Sequence, residues 1–228
     1  MRPPPREKSL KWLRQVRPGY AWLLGMILCY LIASGFKDVD PVVWAAGLGL
    51  RVATFALALY ISGVSRRFFL ATASFALIVA GASIPARIYH GWIEIVVLAA
   101  WSVILLLPPV AILRKIRKDF AGEGADQEVV LGALCAYLYI GSYFAFLYST
   151  IAIASESPFF AQPGADNMLN YIYFSFVTLT TTGYGDISPA YGPGRMIAVT
   201  EAIIGQLYLV SVVAIVVSAF AKRKLPPP

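Results

Sequence analysis

Thr178-Leu179-Thr180-Thr181-Thr182-Gly183-Tyr184-Gly185-Asp186 is a polar run set between strongly apolar segments, where a soluble chain would place a simple loop. The run makes chemical sense if its backbone carbonyls, rather than its side chains, are the working groups. Several copies of such a strand around one axis provide stacked rings of peptide oxygens, which replace the water shell of a dehydrated cation. Gly183 and Gly185 accept backbone conformations that a side chain would forbid. A glycine-rich turn between two helices would account for those glycines alone. It would leave unexplained the threonine run, the Tyr184 between the glycines, and the apolar flanks.

Composition sets the solvent. Of the 228 residues, 59% are hydrophobic and 14% charged, and the mean hydropathy is +0.70, values that read as a polytopic membrane protein. The net charge of +7 is gathered in short basic clusters between apolar spans, which points to anionic lipid at a cytoplasmic membrane face and away from nucleic acid. Cys29 and Cys135 both fall inside apolar spans, so neither a disulfide framework nor a metal site is expected. A lone His90 and the lack of clustered carboxylates argue against an enzyme.

Residues 1–18 form a basic segment in which Trp12 and neighbouring apolar residues suit an interfacial helix on anionic lipid, with a plain tail as the alternative. Apolar spans are expected near Gly19 to Gly35, Pro41 to Val64, Phe68 to Ile84 and Gly91 to Leu113, each close to the roughly 20 residues that cross a hydrocarbon core. The first is expected to remain in the protein, since no convincing cleavage site follows it. A fifth span runs from Glu128 to Ser155. Asn170 to Thr180 is too short to cross and fits a re-entrant helix ending at the polar run. A last span reaches about Ala221, before Lys222-Arg223-Lys224. The basic tail, Arg66-Arg67 and the Arg114, Lys115, Arg117, Lys118 cluster then lie in the cytoplasm with both termini. The fold class is an all-α, multi-pass cell-membrane protein of six transmembrane helices, with the re-entrant helix between helices five and six. Its parts are 1–18, a four-helix unit over 19–118, a pore unit over 119–221, and a tail over 222–228.

Thr181-Thr182-Gly183-Tyr184-Gly185-Asp186 resembles the Thr-Val-Gly-Tyr-Gly-Asp selectivity filter of tetrameric potassium channels, with Thr182 in the place of Val. The similarity in motif covers about Asn170 to Ala221, and the number and order of the helices match the bacterial six-helix type with one pore loop. The resemblance implies a homotetramer that binds K+ at Thr181, through hydroxyl and carbonyl, and at the carbonyls of Thr182, Gly183 and Tyr184. Gly185 would turn the strand outward, and no cofactor beyond the ion is implied. Many family members carry a tryptophan pair where this chain has Tyr173-Phe174, so Tyr173 is a candidate brace for Asp186. Plain packing is the other reading of Tyr173. Gly205 stands where the family has a hinge glycine, although close helix packing explains it equally well. Gln206, Leu209, Val213 and Val217 recur at helical spacing and would face the cavity and inner gate. Asp186, with Glu156 and Asp166, can form an acidic outer mouth, although for the latter two a solvated loop charge is the plainer reading.

The first four spans part company with a voltage sensor at the fourth helix. There the displaced charges of a sensor require repeated Arg or Lys, and Gly91 to Leu113 holds Glu94 and no basic residue. Arg51, near the middle of the second span, needs a protein partner, for which Glu94 and Glu201 are the candidates. The expectation is a potassium channel subunit not strongly gated by voltage. A poorly selective cation channel and a non-conducting scaffold or regulatory subunit remain as alternatives.

Overall fold

The computed structural model describes residues 19–34, 41–89, 91–122, 127–155 and 157–224. The basic segment 1–18, His90, Glu156 and the last four residues lie outside the described residues. The helices are α1 (Tyr20–Ser34), α2 (Pro41–Ile61), α3 (Arg66–Tyr89), α4 (Trp92–Leu105), α5 (Leu107–Gly122), α6 (Gln127–Ala154), α7 (Met168–Leu179) and α8 (Gly192–Lys224).

Five apolar helical stretches have the length and composition to cross a membrane: Trp44–Ile61, Arg66–Ala86, Trp92–Lys118, Glu128–Ala154 and Gly192–Val212. Helix α1, 15 residues long, falls short of that length as described, and α7, with 12, is the short helix expected before the polar run. Two boundaries depart from expectation, both at proline. The fourth span is not one helix ending at Leu113, because Pro108 and Pro109 lack the N–H groups that would continue the ladder. The backbone closes α4 with a tight bond from Leu106 N to Val103 O at 3.2 Å, and the prolines fall in the first turn of α5, where no N–H donor is required. Helix α5 then carries Arg114, Lys115, Arg117 and Lys118 on helical turns rather than in a loop. Helix α3 instead runs through Pro85 to Tyr89, past the expected end at Ile84.

Helix α6 is the hub of the bundle and packs against α1, α4, α5, α7 and α8. One face, with Val129, Ala133, Ala136 and Phe146, joins the apolar core shared with α1 to α5. The opposite face, with Phe144, Ala145, Tyr148 and Ala152, builds a second core with α7 and the loop before it. Small residues let neighbours approach. A Cβ on Gly132 would sit 3.0 Å from the Tyr20 ring, and one on Gly141 would sit 2.8 Å from the Phe176 ring.

The starts of α1 and α6 meet. Glu128, in the first turn of α6, accepts a hydrogen bond from Tyr20 N at 2.9 Å, and Cys135 Sγ lies 3.5 Å from Tyr20 O. The two helices therefore run in the same direction, and the carboxylate of one satisfies an orphan N–H at the positive end of the other. Replacing Glu128 with Ala should lower stability by about 1 kcal/mol, the usual loss for a removed helix cap, read as an earlier unfolding midpoint in detergent.

Candidate functional site

The loop before α7 is fixed by side chains that spend themselves on backbone donors. Asp166 Oδ1 accepts from Phe159 N at 3.1 Å, Phe160 N at 3.3 Å and the Tyr171 hydroxyl at 2.8 Å. Asp166 is therefore an organiser of the loop, a role beyond that of a solvated charge, although the residue is exposed as expected from sequence. Asn167 caps α7 by accepting from Asn170 N at 3.0 Å. Ala161 N and Ala190 N tie this loop to the segment beyond the polar run, through Ser188 O and Phe159 O, each at 2.8 Å. Phe159, Phe160, Tyr171 and Phe174 pack edge-on and stacked between them, joined by Tyr148 from α6.

Helix α7 ends at Leu179, and the next amides turn back onto its last carbonyls. Thr180 N bonds Phe176 O at 3.0 Å, Thr181 N bonds Thr178 O at 2.9 Å, and Thr182 N bonds Val177 O at 2.9 Å. Gly183 N reaches the same Val177 oxygen at 3.4 Å. Beyond this point φ is positive at every second residue: 57° at Thr181, 58° at Gly183 and 77° at Gly185. In a fully extended strand successive carbonyls point to opposite sides. Inverting the backbone hand at alternate residues brings them toward one side, which is the arrangement an oxygen-lined path requires. Among the described residues Thr181 is the one non-glycine with positive φ, a position that costs a side-chain-bearing residue about 1–2 kcal/mol. None of the turn and loop backbone hydrogen bonds among the described residues ends on a carbonyl of residues 181–186, and all six residues are exposed in the single chain.

The Tyr184 ring lies parallel to that of Tyr173 on α7, with centroids 6.4 Å apart and planes 7° from each other. The Tyr173 hydroxyl donates to Asp186 Oδ2 at 2.8 Å. One tyrosine of the short helix thus touches both the ring and the carboxylate that flank Gly185.

Behind α7 lies a polar cluster that sequence reasoning missed. Glu201 of α8 is completely buried, with Oε2 2.5 Å from the Tyr148 hydroxyl and Oε1 2.5 Å from Ser175 Oγ. Ser175 Oγ is also 2.7 Å from Gly141 O, so one carboxyl group links α6, α7 and α8. Two more hydroxyls complete the anchoring: Tyr137 donates to Leu179 O at 2.9 Å, and Tyr208 donates to Ala133 O at 2.6 Å. The available signal was Ser175, Tyr137 and Tyr148 within apolar helices, since a hydroxyl removed from water needs a partner. Glu201 accordingly does not serve Arg51. The Arg51 guanidinium lies over the rings of Phe146, Trp101 and Tyr30, 4.5, 5.0 and 5.2 Å from their centroids. Glu94 is half-buried on α4 and lines the same cavity as Arg51.

Gly205 is buried against the end of α7, where an added Cβ would overlap the Leu179 carbonyl oxygen. Beyond it Gln206 is exposed and Leu209 half-buried. Val213 and Val217 belong to α8, and their side chains lie outside the described part.

Residues 132–222 match the model of a family described as "Ion channel". The match takes in most of α6, all of α7, the polar run and nearly all of α8, and the family is one of ion channels rather than enzymes. A Rhodopseudomonas palustris protein titled "Putative potassium channel protein" is 43% identical to this chain over 51 residues. Those residues are 22% of this chain and 12% of that protein, so the chain spans about an eighth of the length of this relative. No solved structure matches.

Removing Glu201 should be among the more damaging single changes in the matched region. Glu201→Ala leaves the buried Tyr148 hydroxyl without its acceptor, while Ser175 keeps Gly141 O, and should lower stability by about 1–3 kcal/mol, whereas Glu201→Gln keeps the shape and should lose less. Gly205→Ala should also destabilise, because the obstructing atom is backbone and cannot rotate away. Thermal unfolding of the purified variants in one detergent gives the ranking.

Proposed function

We propose that this chain is the subunit of a potassium-selective channel in the cell membrane, with four copies around one axis and the ion held by oxygens of Thr181, Thr182, Gly183 and Tyr184. The observation that carries this reading is the backbone of residues 181–185, whose amides up to Gly183 are spent on α7 and whose φ is positive at Thr181, Gly183 and Gly185, the alternation that suits carbonyls gathered on one side. Unpaired carbonyls at membrane depth are costly unless water or a cation meets them. The family match and the small aligned segment of the R. palustris protein support the same reading.

A fourfold assembly is supported by α8. Met196, Val199, Ile203, Leu207 and Val210 form a largely exposed apolar stripe on it, the side away from α6 and α7. Neighbouring copies would cover part of this stripe, while Gln206, Leu209, Val213 and Val217 would face the conduction path and its inner constriction. In this reading 19–118 is a peripheral four-helix unit and 119–221 the pore unit, with both termini cytoplasmic beside anionic lipid. The absence of basic residues from α4 supports gating by something other than membrane voltage.

The purified protein in liposomes should pass current that reverses near the potassium equilibrium potential when sodium replaces potassium on one side. A reversal near zero would indicate the poorly selective channel instead, and a tetramer without flux would indicate the scaffold. Tyr173→Phe and Asp186→Asn should each change the rate of current decay about fivefold, the equivalent of roughly 1 kcal/mol of hydrogen bonding, with the double variant adding little. Unchanged decay in both would remove Tyr173 from filter support.

A further inference from the structure

The first four helices hold a feature that ion conduction does not use. A cavity of about 590 Å³ opens among α1, α2, α3, α4, α6 and the start of α7, within the size range of small-ligand sites. Its deep end is marked by Arg51, together with Trp101 and Phe146, whose rings flank the guanidinium. Arg51 lies ten residues into α2, about 15 Å along the helix from Pro41, and Glu94 lies two turns before Trp101 near the start of α4. The lining sets apolar side chains, Leu48, Val97, Leu98 and Ile153, beside the hydroxyls of Ser34, Ser83 and Ser149.

Arg51 is only 9% exposed, yet its Nε has no hydrogen-bond partner. The rings engage the faces of the guanidinium, whereas its N–H donors lie in the plane and require an acceptor at the edge. A buried cation with one unmet donor, Nε, beside a cavity large enough for a ligand, matches an anionic group both in charge and in hydrogen bonding.

We propose that this cavity binds a singly charged anionic amphiphile, such as a fatty carboxylate, with its headgroup on Arg51 and its chain along the apolar side chains. Two acidic residues in the lining, Glu94 and Asp166, disfavour a polyanion. Asp166 is already committed to Phe159 N, Phe160 N and the Tyr171 hydroxyl, and Arg51 is the one basic residue among the lining residues named for this cavity, so it is the group an anionic head would meet. The site lies where the four-helix unit meets α6 and the start of α7, and its occupancy is measured without reference to potassium flux.

The test uses the full chain in neutral lipid vesicles, with a bromine-labelled fatty acid as a quencher of tryptophan fluorescence, because Trp44 and Trp101 both line the cavity. The acid should quench saturably, its methyl ester should not, and Arg51→Gln should weaken the acid about tenfold, the loss of one charge-assisted contact. Leu98→Trp fills the cavity without altering its charge, and should prevent an added unlabelled fatty acid from raising the thermal midpoint as it does in the parent protein. That measurement stands even if Arg51→Gln fails to fold. Equal quenching by acid and ester, or quenching by the acid that a folded Arg51→Gln leaves unchanged, would overturn the proposal. So would a midpoint raised equally in the parent and in Leu98→Trp.

Discussion

A stretch of irregular backbone inside a membrane protein depends on one constraint: every N–H and C=O removed from water must find a partner. Here the N–H side of the problem is met within the chain as far as Gly183, because the amides of Thr180 to Gly183 fold back onto the carbonyls of Phe176, Val177 and Thr178. The remaining helix-end carbonyl, Leu179 O, takes the hydroxyl of Tyr137. Between Thr181 and Gly183 the amides are spent and no turn or loop backbone bond among the described residues ends on the carbonyls, so that short stretch has oxygen in excess. The rest of the matched region holds this segment still. Aromatic rings fix the loop that leads into α7, and Glu201 fastens the middle of α7 to the helices on both sides.

These attachments divide labour between α6 and α8. Helix α6 contributes hydroxyl groups, from Tyr137 and Tyr148, and gives up side-chain volume at Gly141 so that Phe176 can lie against it. Helix α8 contributes the one carboxyl that is buried among the described residues and gives up volume at Gly205. Polar links of this kind are strongly directional, so they fix the rotation of α7 about its axis in a way that apolar packing alone would leave loose. Rotation matters because it sets where the strand after Leu179 begins.

Much of this was legible in the sequence because the signals were long or chemically unusual. The apolar spans, the short helix before the polar run and the positions of Gly183 and Gly185 all follow from hydropathy, length and the special conformations open to glycine. The Tyr173 to Asp186 contact was also within reach, since an aromatic donor and a carboxylate flank the same turn. The proline effects were harder. Pro108 and Pro109 end one helix and start another, whereas Pro85 is absorbed, and which outcome prevails depends on tertiary surroundings that local pattern does not record. Glu201 was visible as a buried charge, but its partners come from Tyr148 and Ser175, 53 and 26 residues away in sequence. Only the packing of three helices brings them together. The positive φ of Thr181 was hidden for a similar reason, since a β-branched residue has no local preference for it and is held there by its neighbours.

The contact between Gly205 and the Leu179 carbonyl carries a mechanical implication. Backbone meets backbone there with no side chain in between to act as a cushion. Any residue with a Cβ at 205 would have to push α8 away from the end of α7, so the glycine sets how closely the long helix approaches the start of the strand. The separation of the two backbones at this level is thus decided by one missing methyl group.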